Sequence, residues 1–120
     1  MSEQNAYEGF GFEELIAPQS ITDTNGTGSE VAVGKYTGKV SCVFQLEGVA
    51  SSDAVTIDVK EGTEGDVTTL VERVMTDTNE DGVFAYDYWV NDRATHMTAV
   101  PAVTGTAVVS GVFVGVKRQS

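Results

Sequence analysis

A chain of 120 residues is one domain, long enough to bury roughly two-thirds of the surface its unfolded form exposes, so it folds without disulfides or a metal. Eighteen acidic residues against seven basic ones give a formal net charge of −11, and the basic ones (Lys35, Lys39, Lys60, Arg73, Arg93, Lys117, Arg118) are scattered along the chain. Phosphates and anionic membranes need clustered cations, so nucleic-acid and membrane partners are excluded.

Residues 1–14 stand apart from the rest. They mix acids with Tyr7, Phe10 and Phe12 around Gly9 and Gly11, a pattern that makes no regular amphipathic element and reads as an N-terminal arm. Such an arm either straps its own core or orders across a neighbour, where Tyr and Phe supply contact area. The start is polar and acidic where a signal peptide is basic and then apolar, and no segment nears the ~20 apolar residues of a membrane span. A soluble protein made without export is expected.

Residues 15–120 form the second unit. β-branched segments alternate with Gly, Asp, Asn and Ser turns and no helical period appears, which predicts an all-β antiparallel β-sandwich, jelly-roll-like or Ig-like, of about eight strands. The strands are expected at 17–22, 29–33, 37–47, 54–61, 67–75, 82–90, 94–103 and 106–117. Val40, Cys42, Phe44 and Leu46 share one parity, as do Val55, Ile57 and Val59, so each set faces inward. Cys42 has no disulfide partner and is expected in the core. The last strand differs: one parity carries Val108, Val112, Val114 and Val116, the other Val109 and Phe113 with Gly111 and Gly115. Either it is central and covered on both sides, or another subunit buries its outer face.

Candidate chemistry is sparse. Asp77-Thr78-Asn79-Glu80-Asp81-Gly82 opens like a calcium loop, D-x-N-x-D-G, with Asp77, Asn79 and Asp81 as ligands. The twelfth position is Tyr88 where a bidentate Glu is required, and a hairpin turn explains Asn and Asp-Gly equally well. His96 is the only histidine, lies in a strand-like run, and has Asp92 as its one acid in phase, so a structural role is expected. No Cys/His metal spacing and no phosphate loop occur. No catalytic residue and no cofactor are expected. Tyr86, Tyr88 and Trp89 are the binding candidates, since successive aromatics on a strand place a ring outward, suited to a sugar or a protein surface.

A resemblance covers about residues 21–117. The order Ile21-Thr22-Asp23-Thr24-Asn25-Gly26-Thr27-Gly28, a short strand, Ala54-Val55-Thr56-Ile57-Asp58-Val59-Lys60-Glu61-Gly62, the run from Arg93 to Val100, a Gly105-Thr106 turn and a closing Val/Phe/Gly strand resembles small virion proteins of tailed bacteriophages. Those are β-sandwiches without enzymatic activity, commonly head decoration or cement subunits. The resemblance implies a capsid decoration protein, made in the host cytoplasm, that binds the major capsid protein on the outer surface of the head and associates with itself, for instance as a trimer. Capsid contacts are expected from Tyr7, Phe10 and Phe12, and subunit contacts from Val108, Val112, Val114 and Val116. The alternatives are a carbohydrate-binding sandwich using Tyr86, Tyr88 and Trp89, and a tail or head-tail connector component.

Overall fold

The computed structural model describes residues 9–36, 39–90 and 94–117, and for Phe10 the backbone alone. Seven strands and no helix lie among them: β1 (Phe10–Asn25), β2 (Val31–Ala32), β3 (Lys39–Glu47), β4 (Ala54–Thr63), β5 (Asp66–Thr78), β6 (Gly82–Trp89) and β7 (His96–Val116). Every pairing is antiparallel, as the turn-punctuated β-branched runs predict.

β7 is the spine. Along one edge it pairs first with β4, from Gly62↔His96 to Ala54↔Thr104, and then with β3, from Glu47↔Val108 to Ser41↔Val114. Along the other edge it pairs with β2 and then with most of β1. One continuous sheet is thereby bent into two leaves, ordered β2-β7-β4-β5 and β1-β7-β3-β6. That is the strand order of a jelly roll, two antiparallel sheets closed over one core, and it settles the choice between jelly-roll-like and Ig-like.

The corner falls where two turns are expected. The strands at 94–103 and 106–117 are the two halves of β7, and Gly105 bends the chain at φ +88° without reversing it. Asp23, at φ +49°, lies opposite, where the register slips between Thr22↔Thr106 and Thr24↔Val103. The Gly105 amide donates to Asp23 Oδ1 at 2.7 Å and the Thr106 amide to Asp53 Oδ2 at 3.3 Å. Residues suited to positive φ are used here as a paired bulge that carries both strands from one leaf to the other. The strand expected at 17–22 is correspondingly longer. It begins at Phe10, so that Phe10 to Glu14 pair with Val116 to Val112.

The core lies between the leaves. Val40, Cys42, Phe44 and Leu46 of β3 face Val55, Ile57 and Val59 of β4 in one buried cluster, on the parities read from the sequence. Burial, with a smaller push from Glu72, raises the Cys42 thiol to about 12, so it is an inert packing group. In β7 the parity of Val109, Gly111, Phe113 and Gly115 is the inner one. A Cβ at Gly111 would meet the Phe44 ring and one at Gly115 the Tyr36 ring, so both glycines make room for aromatic packing. Tyr36 in turn sits edge-on to Phe113 with centroids 4.7 Å apart.

Candidate docking surface

The parity opposite the core makes a broad apolar outer face on the β1-β7-β3-β6 leaf. In β7 it presents Val108, Val112 and Val116, with exposures of 37, 43 and 44%, and the half-buried Val114. Directly opposed residues of antiparallel strands share a face, so the register adds Phe12 opposite Val114, Val43 opposite Val112, and Ala85 opposite Val43. Val83 and Trp89 of β6 complete it, and Phe12, Val83 and Trp89 are each about two-thirds or more exposed, at 73, 67 and 69%. A shallow depression between β3 and β7 is lined by Lys39, Ser41, Val114 and Val116. Polar residues interleave with the apolar ones, since the register sets Lys39 opposite Trp89, Gln45 opposite Val83, Ser41 opposite Val114 and Glu14 opposite Val112, and exposed apolar side chains gathered on one face in this way are a candidate interaction surface.

The structure brings together residues that the sequence separates. Phe12, expected to touch capsid, and Val112 to Val116, expected to touch another subunit, lie on one face. Phe10 pairs through its backbone with Val116. Tyr7 lies outside the described residues. The missed members are Val83 and Trp89 as a pair: alternation puts Val83, Ala85, Asp87 and Trp89 on one parity of β6, and the pairing with β3 turns that parity outward.

The aromatic trio is corrected. Tyr86 and Tyr88 share the inner parity of β6, Tyr88 being buried with its hydroxyl donating to the buried Glu61 carboxylate and Tyr86 packing 6.1 Å from Phe44. Trp89 alone faces out, so the three do not make one ligand face. Glu61, unforeseen as a buried acid, continues the inward parity of Val55, Ile57 and Val59, which was its signal in the sequence.

The calcium candidate does not assemble either. The Thr56 hydroxyl donates to Asp77 Oδ1, Asn79 Nδ2 donates to the Ser51 carbonyl, and Asp81 Oδ1 accepts from the Val49 amide at 2.8 Å, so the three side chains serve three different partners. Among the described residues no group of three or more His, Cys, Asp or Glu is placed to hold a metal. His96 opens β7 with Nδ1 2.9 Å from the Thr95 hydroxyl, and Asp92, the acid in phase with it, lies outside the described residues.

Glu13, opposite Phe113 on the inner parity of β1, is an ionised clamp. Its carboxylate accepts from the Tyr36 hydroxyl at 2.6 Å and pairs with Lys35 at 3.1 Å, tying the segment before β3 to the start of β1. The Tyr36 bond, helped by Lys35 and Lys117, holds the Glu13 carboxyl below its usual range, while burial and Glu13 push the Tyr36 phenol up.

The comparisons bear on the fold. No family model matches the chain, and no curated protein matches its sequence. Solved structures do match. A chain of infectious bursal disease virus, Gx strain, superposes with a TM-score of 0.69 at 6% identity, over 90% of this chain and 32% of that one. A chain of deformed wing virus gives 0.56 at 9% identity, over 88% and 44%. A subunit from Bacillus endospore appendages, described as disulfide-linked pili, gives 0.51 at 10% identity, over 92% and 89%. The chain spans about a third of the length of the bursal-disease-virus chains it matches. At these identities the likeness shows a shared jelly-roll fold.

Proposed function

We infer that this chain is a non-enzymatic virion structural protein, most specifically a decoration subunit that lies on the outer surface of a phage head and stiffens contacts between capsid proteins. The observation that carries this reading is the apolar outer face of the β1-β7-β3-β6 leaf, which combines Phe12, Val112, Val116, Val83 and Trp89 on a rigid sheet. The mechanism is buried area. An interface of about 1,000 Å² per subunit, repeated over a lattice, turns modest affinity into a stable shell. The fold it shares with virus particle chains supports the reading. So does the phage resemblance of residues 21–117.

The endospore-appendage match over nearly the whole of both chains favours a second reading, a fibre subunit. Disulfide linkage is unsuited to this chain, because its one cysteine, Cys42, is fully buried with a raised pKa. The test is cosedimentation with heads lacking the chain. Phe12→Ser removes an exposed ring without touching the core and should lower head binding at least tenfold, ~1.4 kcal/mol. Unchanged binding would take Phe12 out of the docking face, and fibres of the purified chain in negative stain would favour the second reading.

A further inference from the structure

Among the described residues the double sheet has unpaired edges at β1 with β2, at β5 and at β6, and they differ in kind. β1 contains Pro18 and slips register three times against β7. β5 carries Glu72 and Arg73 and slips four times against β4. Proline, charge and bulges are what keep an edge strand from recruiting another chain. β6 has neither proline nor lysine, and it pairs with β3 through eight consecutive residues, from Leu46↔Gly82 to Lys39↔Trp89, with no slip. Its one charge, Asp87, is matched by Lys39 at 3.3 Å.

β6 is also complementary to itself. Two copies paired antiparallel about a two-fold axis bring outward residues opposite outward ones and inward opposite inward. Centred on Tyr86, that register sets Val83 against Trp89 of the second copy, Ala85 against Asp87, and Phe84 against Tyr88. The two most exposed apolar side chains of the strand then cover each other, and no like charges lie directly opposite, the two Asp87 carboxylates being diagonal and each paired with its own Lys39. We propose that β6 is a self-pairing edge, on which a second copy of this chain adds antiparallel about an axis at Tyr86. The two leaves fuse into one eight-stranded sheet, β1-β7-β3-β6-β6-β3-β7-β1, whose apolar outer faces lie side by side. The contact is isologous and closed, so it ends at a dimer. It holds whatever the outer face docks against. Because each copy carries −11, salt screens repulsion and tightens the dimer, the reverse of an ion-paired interface.

Sedimentation equilibrium of the full chain is the test, with far-ultraviolet circular dichroism as the check on folding. The wild type should show a monomer–dimer equilibrium that tightens with added salt. Ala85 is solvent-exposed, so Ala85→Asp leaves the fold intact and sets an acid against Asp87 of the second copy, twice per dimer; dissociation should rise at least ~tenfold. Ala85→Lys sets a cation there and should hold or tighten the dimer. A monomer at every concentration and salt, or equal weakening by Ala85→Asp and Ala85→Lys, overturns the proposal. In the first case, slowed β6 amide exchange only on particles would assign the edge to a strand of the shell.

Discussion

The two leaves share a spine and a core yet differ on their outer faces. On the β2-β7-β4-β5 leaf, β4 turns Thr56, Asp58 and Lys60 outward, Arg73 of β5 grips Asp58 with two bonds, Nε to Oδ1 at 2.7 Å and Nη2 to Oδ2 at 3.2 Å, and the exposed apolar residues are fewer, Leu70 opposite Lys60 and Val71. Arg73 holds the Asp58 carboxyl below its usual range, as an ion pair in water does. On the β1-β7-β3-β6 leaf the same alternation turns out Phe12, Val43, Val112, Val116, Val83 and Trp89. Both faces are compatible with the same core, so packing within the subunit does not require the second one to be apolar. The exposed apolar residues on it are what the proposed docking role would use.

The comparison breaks first if the leaves are not one cooperative unit. Phe44 lies between them against Gly111, and Phe44→Ala should destabilise the fold by ~3–5 kcal/mol, with both leaves unfolding in one transition. A urea titration followed by Trp89 fluorescence and by circular dichroism should give coincident curves. Separated curves would show that one leaf stands without the other.

A charge on each outer face then separates the leaves directly. Val112→Asp places an unpaired carboxylate in the docked contact and should weaken binding to heads by ~2–3 kcal/mol, while the free chain, in which Glu14 lies opposite, should lose only ~1 kcal/mol. Leu70→Asp, on the other leaf and opposite Lys60, should leave head binding unchanged. Equal losses in cosedimentation would show that the two faces are used alike.

Much of this was legible in the sequence, and the part that was not has a physical cause. The period-2 alternation gave the inner faces of β3 and β4, the buried Cys42 and the apolar second parity of the last strand. Turn residues located the corner at Asp23 and Gly105, but composition does not tell a reversal from a bulge, since both need positive φ. The expected aromatic trio broke because adjacent residues on a strand face opposite ways, and only the pairing of β6 with β3 says which of Tyr88 and Trp89 turns out. That Phe12 and Val114 are neighbours follows from a pairing about a hundred residues apart, which no local pattern carries.

The smallest effect concerns the tie between β1 and the segment before β3. Glu13→Gln removes the charge that accepts from Tyr36 and pairs with Lys35, and should lower stability at neutral pH by ~1 kcal/mol or less. Glu13's folded-state pKa is depressed, so its contribution is present above the unfolded carboxylate range and lost as pH falls through the folded value. Thermal midpoints of wild type and variant should therefore differ at neutral pH and converge in acid. A constant gap across that range would mean that Glu13 acts through packing alone.

The central claim is that the β1-β7-β3-β6 leaf is the docking face, and a cryo-EM map of decorated heads at side-chain resolution tests it most directly. Val112, Phe12 and Trp89 should be buried against capsid protein while Asp58 and Arg73 face solvent. A map with the Asp58–Arg73 face or the end loops on the shell, and Val112 in open solvent, would contradict it.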